Sequence, residues 1–174
     1  MTNNNQLFHI IWTTYSEYPV WDKNGRWKKL TNTYSKLRLQ NISYTLSHEL
    51  PDEYVNKNPQ NNRILLQEKS INQLRIDIHE LCRENSDRII DGLEIKALHI
   101  NESKVEILVL SNIKVLNQKI SRLKSKTSSA LLRSKYTEEF SGNKIWGKGF
   151  WYSTILNKEK LAISIIQDGF SKEF

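Results

Sequence analysis

Hydrophobic and polar positions change their period several times along the chain. Residues 7–15, LFHIIWTTY, alternate poorly but are dense in Ile, Trp, Thr and Tyr, which predicts a central strand. The strand runs into YPVWDKNGRW, where Pro19 and Asn24-Gly25 mark a turn. Trp21 and Trp27 in this turn either pack over the sheet edge or meet a ligand. Residues 28–62 are polar and form a loop-rich insertion, with NISYTLSHEL the one piece that reads as ordered. In SINQLRIDIHELCRENS, Ile71, Leu74, Ile78, Leu81 and Cys82 recur at three- and four-residue spacing, which predicts an amphipathic helix with Ser70 as its N-cap.

DRIIDGLEIKALHI supplies a turn at Asp91-Gly92 and a strand, and KVEILVL is its antiparallel neighbour across Asn101-Glu102-Ser103. A second helix follows, with Val115, Leu116, Ile120, Leu123, Thr127 and Leu131 as its apolar stripe. NKIWGKG is a turn, FWYSTIL a strand, and NKEKLAISIIQDGF a short helix starting near Asn157. This order predicts an α+β two-layer sandwich, a largely antiparallel sheet with helices packed on one face, and 174 residues suit a single domain.

Composition narrows the classes. Hydrophobic residues at 38% and charged residues at 26% describe a folded chain rather than a disordered one. The single cysteine, Cys82, offers neither a disulfide framework nor a cysteine-based zinc site, so the expectation is a cytoplasmic protein. No apolar run approaches the roughly 20 residues that cross a bilayer, and MTNNNQLF lacks the pattern of a secretion signal.

A formal charge of +7 favours polyanionic partners, and its distribution sharpens the point. Lys114, Lys119, Arg122, Lys124, Lys126, Arg133 and Lys135 occur with no acidic residue between them. Several cations on one element are what phosphate binding needs, because each neutralised phosphate releases counterions. Thr127, Ser128 and Ser129 add hydroxyl donors. Lys144, Lys148, Trp146, Trp151 and Tyr152 repeat the pairing of cation and ring that holds a single strand. Strand alternation sends Trp151 to one face and Phe150 with Tyr152 to the other, so only part of this cluster can meet a ligand.

FHIIWTTYSEYPVWDKNGRW, ALHINESKVEILV, KISRLKSKTSSALLR and IWGKGFWYSTIL with LAISIIQDG, in this order and spacing, resemble the single-tyrosine HUH transposases of the IS200-like class, in particular the repeat-associated group. The resemblance implies a ferredoxin-like fold and DNA nicking with strand transfer through a phosphotyrosine. It also implies a divalent ion, held by two histidines flanking one hydrophobic residue, to polarise the scissile phosphate. Those two positions fall here on Lys104 and Glu106, the tyrosine position on Ile165, and the nearby polar metal ligand on Gly169. Protonated lysine is no ligand, isoleucine has no nucleophilic atom, and glycine has no side chain. Lys104 and Glu106 are instead expected to form an ion pair, half exposed because a buried pair brings little net stability.

The sequence therefore predicts a transposase-derived protein that binds hairpin or single-stranded DNA without cleaving it. Lys114, Lys119, Arg122, Lys124, Lys126 and Arg133 are its phosphate contacts, with Lys144, Lys148 and Trp151 as a second patch. No cofactor is expected. Mg²⁺ or Mn²⁺ enters only if an active enzyme with relocated ligands survives, using Tyr152 or Tyr136 as nucleophile. His99 joins the face of Glu106 only in the right hairpin register, and His9, His48 and His79 show no ligand spacing. The same residues are compatible with a protein-interaction module that reuses the fold, or with an RNA-binding protein, and a homodimer is compatible with the resemblance.

Overall fold

The computed structural model describes residues 5–15, 44–46, 64–83, 93–134, 136, 140, 144–147 and 149–167, with the backbone alone at 44–46, 161 and 165–167. Five strands, β1 (Asn5–Thr13), β2 (Tyr44–Leu46), β3 (Glu94–Ile100), β4 (Lys104–Asn112) and β5 (Trp151–Ile155), form one antiparallel sheet in the order β2-β5-β1-β4-β3. The helices are α1 (Glu68–Cys82), α2 (Ile113–Arg133) and α3 (Glu159–Gln167). Apart from the short edge strand β2, the order is β-α-β-β-α-β with β1 between β5 and β4, a ferredoxin-like arrangement, and the expected α+β class holds.

One face of the sheet presents Phe8, Ile10 and Trp12 of β1 and Val105, Ile107 and Val109 of β4. These pack on Leu74 and Ile78 of α1 and on Leu116, Ile120, Leu123 and Leu131 of α2. Each such aliphatic side chain contributes about 1.5–3 kcal/mol by leaving water. The opposite face carries Leu7, His9, Ile11 and Thr13 of β1, Lys104, Glu106 and Leu108 of β4, and Trp151, Ser153 and Ile155 of β5, all buried. The long helices cover the first face, and α3 lies against β3 and β4, with Ala162 fully buried. Burial on both faces explains the poor alternation of LFHIIWTTY, because every residue from Leu7 to Thr13 is inside.

The ends of α1 and the hairpin differ in detail from expectation. Gln67, not Ser70, occupies the N-cap of α1 and makes no side-chain cap bond, while Ser70 is buried in the first turn. The β3–β4 turn is held by Asn101, whose Oδ1 accepts from the backbone N–H groups of Ser103 at 3.0 Å and Lys104 at 2.9 Å. The expected α2 stripe is buried from Leu116 to Leu131, with Val115 half-buried and Lys124 added to it. Asn112 caps this helix by accepting from the Lys114 N–H at 2.9 Å. No described helix is long and apolar enough to cross a membrane. Trp21, Trp27, the turn at Asp91-Gly92 and most of the 28–62 insertion lie outside the described residues.

Candidate functional site

Residues directly opposite across antiparallel strands share a face, so strand register decides which polar groups meet. Ile11 pairs with Glu106, Thr13 with Lys104, and His99 with Glu106. His99 therefore reaches the face of Glu106, although by pairing with residue 106 rather than 104, a shift of two that preserves side-chain parity. His9 lies two residues before Ile11 on the same face, and its Nε2 is 2.8 Å from Oε1 of Glu106. Lys104 Nζ donates to Oε2 of Glu106 at 3.0 Å.

Glu106 and His9 are completely buried and Lys104 is 7% exposed, so the expectation of a half-exposed pair is corrected. The third member explains why burial is tolerated. Burial pushes the Glu106 carboxyl up, but the hydrogen bond from His9 and the charge of Lys104 together outweigh it and hold the carboxyl down at about 2. His99 is half-buried and its imidazole is lowered, chiefly by burial, with Glu106 opposing and Lys104 and Arg75 assisting. His9 also stands edge-on to Trp151, ring centres 5.9 Å apart.

The donors do not fit the metal centre that the resemblance implies. Both oxygens of Glu106 are engaged, one by an ammonium and one by an imidazole, and Lys104 brings a positive charge to the place of a ligand. Among the described residues no group of three His, Cys, Asp or Glu side chains converges as a metal site. Ile165 belongs to α3, its side chain undescribed, and Gly169 lies outside the described residues. Tyr152 stacks edge-on to Phe8 at 6.0 Å, on the α1/α2 face, and the sheet separates it from Glu106. The Cys82 thiol is pushed up to about 12 by burial, which removes it as a nucleophile.

The basic residues of α2 sort onto two flanks of its buried stripe. At about 100° per residue, Lys119, Arg122, Lys126 and Arg133 fall within roughly 60° of one another. Arg122, Lys126 and Arg133 are exposed, Lys119 is half-buried, and Lys114 is exposed in the first turn. Arg122, Lys126 and Arg133 have no acidic partner among the described residues. Lys124 is different. It lies 9% exposed on the other flank, where its Nζ donates to the carbonyls of Gly147, at 2.8 Å, and Gly149. Burial lowers its ammonium to about 8. Its assignment as a surface phosphate contact is therefore corrected: it clamps the 144–149 segment to the helix.

That segment is fixed from two sides. Tyr15 N–H donates to Ile145 O at 2.7 Å and Gly147 N–H to Thr13 O at 2.9 Å, extending the β1 edge. A Cβ on Gly147 would stand 3.2 Å from the Thr14 carbonyl oxygen, and Gly149 takes a φ of 73°, so both glycines answer to backbone geometry. Trp146 donates its indole N–H to Thr127 Oγ1 at 3.1 Å. Lys144 sits over the Tyr15 ring, 5.7 Å from its centre. Trp151 is 2% exposed, which corrects its assignment as a stacking residue, and Lys148 lies outside the described residues.

A groove of about 370 Å³ opens between α2 and this segment. Ser121, Ser125 and Ser128 line it from the helix, and Lys144, Trp146 and Phe150 from the segment. Phe150 and the three-serine row are what sequence reasoning missed. The row was visible in SRLKSKTSS at positions i, i+4 and i+7, one face of a helix.

No family model matches the chain, and no curated protein matches it. Among solved structures, the chain is similar to a proposed transposase from Deinococcus radiodurans R1, at 14% identity over 96% of this chain and 89% of that one, with a TM-score of 0.49.

Proposed function

We propose that this chain is a nucleic-acid-binding protein, derived from a single-strand DNA transposase, that recognises hairpin or single-stranded DNA and does not cleave it. The observation that carries the reading is the stripe on α2, where Arg122, Lys126 and Arg133 are exposed along one flank with no acidic partner among the described residues. Cations left unneutralised on one rigid helix form a line of phosphate contacts, and their affinity comes from counterion release. Lys119 belongs to the same flank, and Lys114 extends the charge to the start of the helix.

Loss of cleavage is supported by the buried cluster. A carboxylate held by Lys104 and His9 has no free oxygen left to hold a divalent ion, and Ile165 brings no nucleophile to α3. Lys104 in effect places an amino group, already bonded to Glu106, where the resemblance puts a metal ligand.

The test is a binding isotherm for hairpin DNA, unstructured single strand, duplex and matched RNA over a salt series. Four phosphate contacts on a single strand give a log–log salt slope of about −3, and Arg122→Ala with Lys126→Ala makes it shallower by about 1 to 1.5. A parent protein with no salt-dependent affinity would leave a protein-interaction role instead, and a preference for the RNA would change the sugar class.

A further inference from the structure

We infer that the groove between α2 and residues 144–147, 149 and 150 is a nucleotide subsite. It takes one phosphate-bearing residue of a single strand, with the phosphate on the serine row and Lys144 and the base against Phe150. This rests on the nucleic-acid reading proposed above, but its residues are distinct from the stripe.

Four observations carry it. The groove, at about 370 Å³, falls within the range of about 300–1,000 Å³ in which small-molecule sites occur, so it accommodates a nucleotide. Ser121, Ser125 and Ser128 turn toward it, and among the described residues their hydroxyls have no protein partner. Serines within a helix commonly bond back to the preceding turn, as Thr127 does to Leu123 O at 2.9 Å, so three that do not are available to a ligand. At the base of the groove, Lys124 holds the carbonyls of Gly147 and Gly149 and so fixes the wall that carries Lys144 and Phe150. Phe150 is half-buried, tilted against Tyr152 at 6.2 Å between ring centres, and lines the groove opposite the helix.

The chemistry of the wall selects the ligand. Hydroxyl donors and the exposed Lys144 suit phosphate oxygens, and an aromatic face beside them suits a base of any identity. The occupant is accordingly a strand residue recognised without sequence preference. The stripe on the opposite flank of α2 holds the neighbouring phosphates.

The experiment measures fluorescence anisotropy of the full chain with a labelled dT8 strand, competed by dTMP and by inorganic phosphate. Ser125→Leu fills the groove from an exposed helical position, and Phe150→Leu removes the ring. Melting curves establish that each variant is folded. Each variant should weaken dT8 binding about 5- to 100-fold; Phe150→Leu leaves the salt slope unchanged, Ser125→Leu makes it shallower by at most about 0.7 through the phosphate displaced from Lys144, and Arg122→Ala with Lys126→Ala makes it shallower by about 1 to 1.5. If dT8 binds the parent and both groove variants equally, the groove inference falls and the stripe reading stands. If dT8 does not bind the parent at all, both fall. Stoichiometric binding of dTMP tighter than dT8 would make the groove a free-nucleotide site and overturn its role on a strand.

Discussion

Glu106 is the residue on which the buried face turns. Two partners share its carboxylate, and removing its charge leaves the buried Lys104 side chain without its counter-ion, so Glu106→Gln is expected to cost about 3–5 kcal/mol. The double variant Lys104→Met with Glu106→Leu should cost much less than the sum of its single changes, a coupling that chemical denaturation of the four proteins would measure. The same carboxyl makes stability depend on acid. Its folded value of about 2 lies below its ordinary 4.5, so the unfolded chain binds the proton first as pH falls. The stabilisation is complete above about pH 4.5 and is lost as pH falls toward 2. Thermal melts between pH 5 and 2 should therefore steepen in the parent relative to Glu106→Gln, and equal slopes would contradict the assignment. Little of this cluster was legible beforehand. Lys104 and Glu106 announce themselves two apart on a strand, but His9 is 97 positions from Glu106 and meets it only through the β1–β4 register.

Among the elements, α2 shows how charge counting misleads without the helical wheel. Lys124 lies three or four residues from Ile120, Thr127 and Ser128 and falls at the edge of the buried stripe, about 20° beyond Leu131, a placement that marks it as a snorkelling or clamping lysine. Its partners could not be read from sequence, because they are carbonyls of a loop brought back by β5. Gly149→Ala should lower stability by about 1 kcal/mol or more, since the left-handed φ of 73° strains any side chain, and it should weaken strand binding through the same loop. Differential scanning calorimetry beside the anisotropy assay reads both. Trp151 failed as a stacking residue for a related reason: alternation correctly placed it opposite Tyr152, but the face it joins is covered. The buried helix faces and the hairpin were legible because apolar spacing and turn chemistry agree there, as in Ile71, Leu74 and Ile78 and in Asn101, whereas the start of α1 was not, since Gln67 makes no side-chain cap bond that would mark it.

At the scale of the molecule, the fold puts two different chemistries on the two sides of one sheet. On one side lies a buried ionic cluster, and on the other α2 carries an open cationic flank and a polar groove. A net charge of +7 favours polyanionic partners in general, and α2 carries six basic residues from Lys114 to Arg133 with no acidic one. On the proposed reading recognition and cleavage are separated, the first assigned to Arg122, Lys126 and Arg133 and the second lacking a nucleophile at Ile165, the position the resemblance implies. The most direct test incubates the full chain with hairpin and single-stranded DNA in Mg²⁺ or Mn²⁺ at low and moderate salt. Binding is followed by anisotropy, and the products by denaturing gel. Tight, salt-dependent binding with no shortened strand and no protein–DNA adduct is the predicted result. A covalent adduct or a metal-dependent nick, abolished by Tyr152→Phe or Tyr136→Phe, would contradict it.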